Sequence, residues 1–195
     1  MQQVRQEPDA RSRLMAAAVE SFAAKGFHGT STRDIAAEAG MSPAALYVHH
    51  RSKEELLHRI SREGHDRTLA LVQEAIASSG DPREQLLAVA HAFVVHHAED
   101  HTGARVVNYE LSALSPDHLE EIAAIRRRIE AEMRGVVERG VAAGVFTTGD
   151  PHMTALALLS LGIDVARWYR DEGEWTPNQI ADHYCELALR IVGAG

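Results

Sequence analysis

The sequence predicts an all-α protein of about nine helices, and three observations support this fold class. Proline directly follows a residue that favours helix N-caps in five places: Ser42-Pro43, Asp81-Pro82, Ser115-Pro116, Asp150-Pro151 and Thr176-Pro177. Proline is favoured in the first turn of a helix, where its missing N–H costs nothing. No segment alternates β-branched and polar residues as a strand does. Finally, a glycine-containing turn of three residues separates two short helical segments near the N-terminus.

These two short helices lie within Thr30 to Lys53. Ser31 is placed to cap the first helix, and Gly40 to end it in the left-handed conformation that glycine tolerates. Ser42 is placed to cap the second. A connection this short forces the two helices to cross sharply, as in a helix-turn-helix. The second helix is therefore the candidate recognition helix for a DNA major groove.

The remaining segments predict a larger helical body. The first helix is expected to begin near Pro8 and Asp9, and a long helix from Ser52 to about Ser79 is expected to link the two parts. We expect residues 1–55 to form a helix-turn-helix DNA-binding domain of three helices. We expect residues 56–195 to form a helical domain for effector binding and dimerisation.

The helix expected after Pro151 is apolar almost all round, which predicts that it is buried on every side. In a chain this small, such burial requires a partner subunit. Together with the helix expected after Pro177, it would form a four-helix interface in a homodimer.

Charge and composition narrow the possible functions. The net charge is −8, yet residues 1–63 hold nine Lys and Arg against eight Asp and Glu. DNA affinity is therefore expected to depend on a few well-placed donors and not on a broad basic field. The single cysteine, Cys185, favours the cytoplasm, and no apolar run reaches the roughly 18 residues of a transmembrane helix.

The N-terminal part resembles the DNA-binding domain of the TetR family of one-component bacterial repressors. The resemblance covers about Arg11 to Leu57 and is carried by GTSTRDIAAEAGMSPAALYVHHRSKEELL with SRLMAAAVESFAAKGFHG before it. In one place the sequence departs from the family pattern, because His50 stands where an aromatic residue usually helps to close the core of the small domain.

The resemblance implies which residues meet double-stranded DNA. The N-terminus of the second helix suits a phosphate, and the start of the third keeps small side chains so that its backbone approaches the groove. Lys53 is interpreted as a phosphate anchor. The alternative for each residue is a solvated surface position. The expected DNA-binding residues are Thr32, Arg33, Ser42, Ala44, Tyr47, His49 and Lys53.

Several polar residues fall on the inner faces of the later helices and suggest a small-molecule effector. Arg126 interrupts the apolar stripe of its helix, and a buried arginine needs a partner. That partner is either a carboxylate, such as Asp164 or Glu110, or an anionic ligand, and Arg167 leaves the same alternatives. The expected ligand-binding residues are Phe93, His97, Asn108, Tyr109, Arg126, Met133, Arg167 and Trp168.

The second part also resembles, more loosely, the TetR-like regulators that respond to acyl-CoA thioesters. The resemblance lies in NYELSALSPDHLEEIAAIRRRIEAEMRGVVERGVAAGVF and in Arg167-Trp168-Tyr169-Arg170 followed by Gly173. It implies a long pocket with an apolar end and an arginine near phosphate or carbonyl groups. An acyl-CoA is therefore one possible effector.

Two other classes of protein were weighed. An enzyme is disfavoured because the sequence has no nucleophile elbow, phosphate loop or paired catalytic carboxylates. No cofactor and no metal are expected, although His97 and His101 have a spacing that permits a metal site. A constitutive or architectural DNA-binding dimer without an effector remains open.

Overall fold

The computed structural model describes residues 9–194; Pro8 lies outside the described residues, and the first helix begins at Ala10 with Asp9 as its N-cap. Within them the chain forms nine α-helices and no strand, which confirms the all-α fold. The helices are α1 (Ala10–Gly29), α2 (Thr32–Glu38), α3 (Pro43–His49), α4 (Lys53–Ala77), α5 (Pro82–Glu99), α6 (His101–Tyr109), α7 (Pro116–Ala142), α8 (Pro151–Trp168) and α9 (Pro177–Ile191).

The N-caps explain where the helices begin. In each of the five cap-proline pairs, the cap side chain accepts a hydrogen bond from a backbone N–H in the first helical turn. α6 stops at Tyr109, and a short 3-10 turn follows. α8 stops at Trp168, and the buried Tyr169 that follows has a non-helical backbone.

Helices α1 to α3 and the first turns of α4 form a small bundle, here called the head. Its core contains the fully buried Leu14, Ile35, Leu46 and Leu56. α1 bends at Gly26, whose φ of +70° lies in the left-handed region that favours glycine. This bend turns Phe27 inward, where its ring packs 5.5 Å from that of Phe22.

Helices α4 to α9 form the second part, here called the body. α5 lies at its centre and packs against α4, α7, α8 and α9. α4 runs from the head into the body, where it packs on α5, α6 and α7. None of the helices within residues 9–194 is long and apolar enough to cross a lipid bilayer.

The outer face of α8 is exposed in the single chain, whereas the sequence predicted a helix buried on every side. Met153 is 63% exposed, and Leu161 and Trp168 are also exposed. The inner face packs against α5, α6 and α7, but no element within residues 9–194 covers these three side chains. An apolar helix face that one chain leaves exposed is typical of a subunit interface.

Candidate DNA-binding surface and ligand cavity

The turn between α2 and α3 fixes the position of the recognition helix. Gly40 takes a φ of +66°, and the N–H of Met41 donates to the carbonyl of Ala36 at 2.8 Å. The Arg13 guanidinium, from α1, donates to the carbonyl of Ala39 at 2.6 Å. The chain therefore reverses within three residues, and α1 holds the turn in place.

α3 has one inward anchor and a wide outer face. Leu46 is fully buried, while the side chains of the outer face reach solvent. Val48 was not identified from the sequence, yet it is 79% exposed. Its position four residues after Ala44 was the available signal, because residues four apart share a helix face. The exposed residues at the start and along the outer face of α3 are Ser42, Pro43, Ala44, Tyr47, Val48 and His49.

Thr32 and Arg33 lie beside this face at the N-terminus of α2. The Thr32 hydroxyl is 3.3 Å from the Tyr47 hydroxyl, so the two helices share a polar edge. Arg33 is exposed and makes no ion pair with any residue from 9 to 194. A capping box between Ser31 and Asp34 orders this helix end.

Lys53, the residue expected to anchor a phosphate, also makes contacts within the head. Its ammonium donates to the carbonyls of Phe27 and Thr30, at 2.6 and 2.7 Å, and lies 4.1 Å from the centre of the Phe27 ring. Two of its three donors are therefore used within the head. Lys53 therefore joins the end of α1 to the start of α4.

His50 fills the position where the family pattern has an aromatic residue. It is 1% exposed, and neither ring nitrogen has a hydrogen-bond partner among the described residues. Burial, with a smaller effect from the charge of Arg59, lowers the pKa of His50. The ring therefore packs in the core as a neutral, aromatic side chain.

A cavity of about 300 Å³ lies in the body between α4, α5, α6, α7 and α8. Part of its wall is apolar and comes from Phe93, Val107, Ile129, Leu156, Leu159 and Ile163. Polar groups from α4 to α7 also line the cavity and include His65, Thr68, His97, Asn108 and Arg126. Four of the expected ligand-binding residues therefore line one cavity: Phe93, His97, Asn108 and Arg126.

Arg126 lines this cavity with neutral partners, whereas the other charged lining residues, Arg127 and Glu130, form ion pairs with Glu120 and Arg134. Its Nη1 lies 3.2 Å from Nε2 of His65 and 3.2 Å from Oδ1 of Asn108. Within residues 9–194 no carboxylate forms an ion pair with it, and burial lowers the pKa of its guanidinium. The carboxylates considered from the sequence are used elsewhere, since Asp164 pairs with Arg167 and Glu110 accepts from the N–H of Phe27.

The buried histidines of the cavity are neutral near pH 7. Burial is the main cause that holds the pKa of His65 and of His97 at about 4. No group of three or more His, Cys, Asp or Glu side chains in the described part of the chain is arranged to hold a metal ion.

The other four expected ligand-binding residues lie outside this cavity. Arg167 is 66% exposed and pairs with Asp164 at 2.6 Å on the surface of α8, so this ion pair is not buried as expected. Tyr109 and Trp168 are also exposed on the outside of the body. Met133 is buried and lines a smaller apolar cavity, for which Phe93 also forms part of the wall. Sequence spacing identified the helix faces but not which of them turn inward.

Two elements connect the cavity to the head. α4 provides His65 and Thr68 to the cavity and continues into the head. α6 provides Asn108, and two residues later Glu110 accepts a hydrogen bond from the Phe27 N–H at 3.1 Å. Phe27 is thus bound through its N–H to the body and through its carbonyl to Lys53. Both connections therefore begin at the wall of the cavity.

A helix-turn-helix head joined by one continuous helix to a body with an internal cavity defines the class of one-component transcriptional regulators. The chain belongs to the TetR family. Residues 14–60 match the family model for bacterial regulatory proteins of the tetR family, and residues 79–192 match that for the tetracyclin repressor-like C-terminal domain. The protein is accordingly a DNA-binding regulator of transcription and not an enzyme.

Similar proteins cover nearly the whole chain. A crystal structure of a tetR-family regulatory protein from Rhodococcus RHA1 is 44% identical, covers 96% of this chain and 99% of that one, and has a TM-score of 0.92. The transcriptional repressor KstR2 of Rhodococcus jostii is 28% identical over 181 residues, 92% of this chain and 89% of that protein. AibR, crystallised with isovaleryl coenzyme A and operator DNA, shares the fold at 22% identity, with a TM-score of 0.86 over 96% of this chain and all of that one.

Proposed function

We propose that this regulator is a homodimeric repressor that leaves its operator when a small molecule fills the cavity in the body. The observation that carries the proposal is that α4 belongs both to the head and to the cavity wall. A ligand that binds better when α4 is displaced shifts the population towards that state and moves the head. Repression is supported by the similarity to KstR2, which is a transcriptional repressor.

The dimer is proposed to form through α8 and α9. The exposed apolar outer face of α8 provides the contact, and α9 lies beside it along α5. Two such helices from each chain would form a four-helix interface with two-fold symmetry. Two heads related in this way would place their recognition helices about one DNA turn apart, roughly 34–36 Å, or modestly more. The operator would then be an inverted repeat.

We propose that α3 enters the major groove, with Tyr47, His49 and Arg33 as polar contacts to phosphates or base edges. Thr32 and the N-terminus of α2 would bind a phosphate, and the small Ser42 and Ala44 would allow close approach. Val48 is added to this set because an exposed valine beside these donors is suited to the methyl group of thymine. Lys53 stays in the set, because two of its donors bond within the head and the third would bind a phosphate.

An acyl-CoA thioester is the effector class that we propose. AibR, which shares this fold, was crystallised with isovaleryl coenzyme A. The cavity here combines an apolar wall with the Arg126 guanidinium, which suits an acyl chain and its carbonyl oxygen. A volume of about 300 Å³ lies at the lower end of the range for small-molecule sites. Only the acyl end would fit inside, and the nucleotide would lie at the opening near the exposed Arg127 and His152.

The alternative is a constitutive DNA-binding dimer without an effector, and one experiment separates the two. A gel mobility shift uses the DNA upstream of the protein's own gene, with and without a panel of short-chain acyl-CoAs. We expect a specific complex that micromolar isovaleryl-CoA or a related thioester dissociates. A complex that no thioester affects favours the constitutive dimer, and transcription that falls when the gene is deleted contradicts repression.

The same proposal covers the organisation and location of the protein. Residues 1–55 would act as the DNA-binding domain and residues 56–195 as the effector-binding and dimerisation domain. Because operator DNA and acyl-CoA are found in the bacterial cytoplasm, we propose that the protein acts there.

A further inference from the structure

His97 shows what chemical group the cavity lacks. Its ring lines the cavity and is only 2% exposed, and Nδ1 lies 2.8 Å from the carbonyl oxygen of Phe93. A carbonyl oxygen only accepts hydrogen bonds, so Nδ1 must carry the proton. Because the ring is neutral near pH 7, Nε2 is left with a lone pair. No residue within 9–194 donates a hydrogen bond to it.

His65 confirms that this assignment of protons is consistent across the cavity. Its Nδ1 lies 2.8 Å from the Ser61 carbonyl oxygen, which fixes the same tautomer. Its Nε2 is then an acceptor, and it is 3.2 Å from the Arg126 guanidinium, which only donates. His65 therefore has both nitrogens satisfied, whereas His97 has the same form and lacks a donor.

Arg126, in the same cavity, has hydrogen-bond donors that a ligand oxygen could accept from. Its guanidinium is partly buried and contacts two neutral acceptors, with no carboxylate in ion-pair distance among the described residues. A carboxylate or a carbonyl oxygen from a ligand would satisfy its remaining donors. The cavity thus presents a cationic donor and, at His97 Nε2, an unfilled neutral acceptor within a largely apolar wall, to which Glu130 adds a carboxylate.

We propose that the effector is a short hydroxyacyl compound, whose carbonyl or carboxylate oxygen accepts from Arg126 and whose hydroxyl donates to Nε2 of His97. This rests on the proposed function, in which the cavity binds an acyl group. A site built to receive a hydroxyl discriminates against the analogue that lacks it, because the buried acceptor is then left unpaired. The free hydroxy acid and its CoA thioester share this chemistry, and the binding experiment distinguishes them.

The test uses isothermal titration calorimetry of the full-length protein with matched pairs of probes. 3-Hydroxybutyrate is compared with butyrate and 3-hydroxyhexanoate with hexanoate, each as the free acid and as the CoA thioester. We expect the hydroxylated member to bind about tenfold more tightly than its partner in one of the two series. If the hydroxyl increases affinity among the thioesters, the effector is a CoA ester. If it increases affinity among the free acids, the effector is a free hydroxy acid.

Three variants test whether His97 causes the tighter binding of hydroxylated probes. His97→Leu removes the acceptor, so we expect the ratio of the two affinities to fall to about 1. His97→Gln keeps a side-chain acceptor and is expected to retain part of the preference. His91→Leu makes the same substitution on the same helix but outside the cavity, and should leave the ratio unchanged.

The outcomes separate this inference from the proposed function. Equal binding of hydroxylated and unsubstituted probes to the wild-type protein, or an undiminished preference in folded His97→Leu protein, overturns the hydroxyl assignment alone. If neither series binds, and isovaleryl-CoA does not bind either, the acyl effector itself is contradicted.

Discussion

The imidazole rings of His58 and His118 stack in parallel, with their centroids 3.7 Å apart and their planes inclined by 3°. His58 lies on α4 and His118 in the first turn of α7. A carboxylate accompanies each ring, because Glu54 Oε1 lies 2.8 Å from His118 Nδ1 and Glu121 Oε2 lies 2.8 Å from His58 Nε2. The stack therefore fastens the helix that carries the head to the longest helix of the body.

Replacing His118 tests the strength of this junction. His118→Ala removes the ring stack and the hydrogen bond to Glu54, so we expect the free energy of unfolding to fall by about 1–2 kcal/mol. Urea denaturation measures the change. His183→Ala, at an exposed position on α9, is the matched control and should have little effect. Equal stability of His118→Ala and wild type would show that the stack does not hold α4.

Arg33 tests the DNA-binding surface. If its guanidinium contacts a phosphate, Arg33→Gln should weaken operator binding and lower the slope of log affinity against log salt concentration by about 1. Fluorescence anisotropy between 50 and 200 mM salt measures both. Arg190→Gln removes the same charge from an exposed site on α9. A slope that changes equally in the two variants would indicate a general effect of net charge.

Gly162 tests the packing beside the cavity. A Cβ atom at this position would lie 2.6 Å from Cδ1 of Phe93, so Gly162→Ala forces the aromatic ring to move. Overpacking of this kind costs about 1–3 kcal/mol, measured by urea denaturation. Gly149→Ala is the control, because nothing lies within 4 Å of a Cβ atom there. A fully stable Gly162→Ala protein would mean that Phe93 is free to rearrange.

The buried histidines predict a loss of stability in mild acid. The pKa of His65 and of His97 is about 4 in the folded chain, against 6.5 for an ordinary imidazole. Between these values the unfolded chain binds protons that the folded chain does not, so stability falls as the pH falls from 6.5 to 4. At pH 5 the loss is about 2 kcal/mol for each ring.

Urea denaturation at pH 7, 6 and 5 measures this loss. His97→Gln should reduce the dependence on pH, with the same substitution at His183 as the control. A free energy of unfolding that stays constant from pH 7 to pH 5 would contradict the assignment of these rings as neutral and buried.

The outer face of α8 tests the dimer. Met153→Glu places a charge on the exposed apolar face, so we expect sedimentation velocity at micromolar concentration to show a shift from dimer to monomer. Leu119→Glu introduces the same charge at an exposed leucine near the start of α7 and should leave the dimer intact. A wild-type protein that sediments as a monomer would contradict the proposed interface.

The fold was predictable because its signals are local. Each cap-proline pair specifies a helix start through hydrogen bonds within the first turn, and Gly40 specifies the turn through its own backbone conformation. Neither depends on the rest of the chain. The end of α8 has no such local signal, and Tyr169, which follows it, is buried in the body.

The sites were only partly predictable, because the partner of a long polar side chain is set by packing between helices. Lys53 and Arg33 look alike in sequence, yet Lys53 bonds to two carbonyls from the end of α1 and the α1–α2 connection. Arg126 and Arg167 were both expected at the ligand, but only Arg126 lies on an inward face. Spacing along a helix indicates which residues share a face and not which neighbour covers it.

The two hydrogen bonds of Phe27 have a consequence for observing the regulator without DNA. Lys53 moves with α4 and keeps its hold on the Phe27 carbonyl, so a tilt of the head relative to α6 must first break the bond from the Phe27 N–H to Glu110. That single amide would then exchange its hydrogen with solvent each time the head tilts. Its exchange rate, followed by NMR while an effector is added, would report the fraction of molecules in the released conformation.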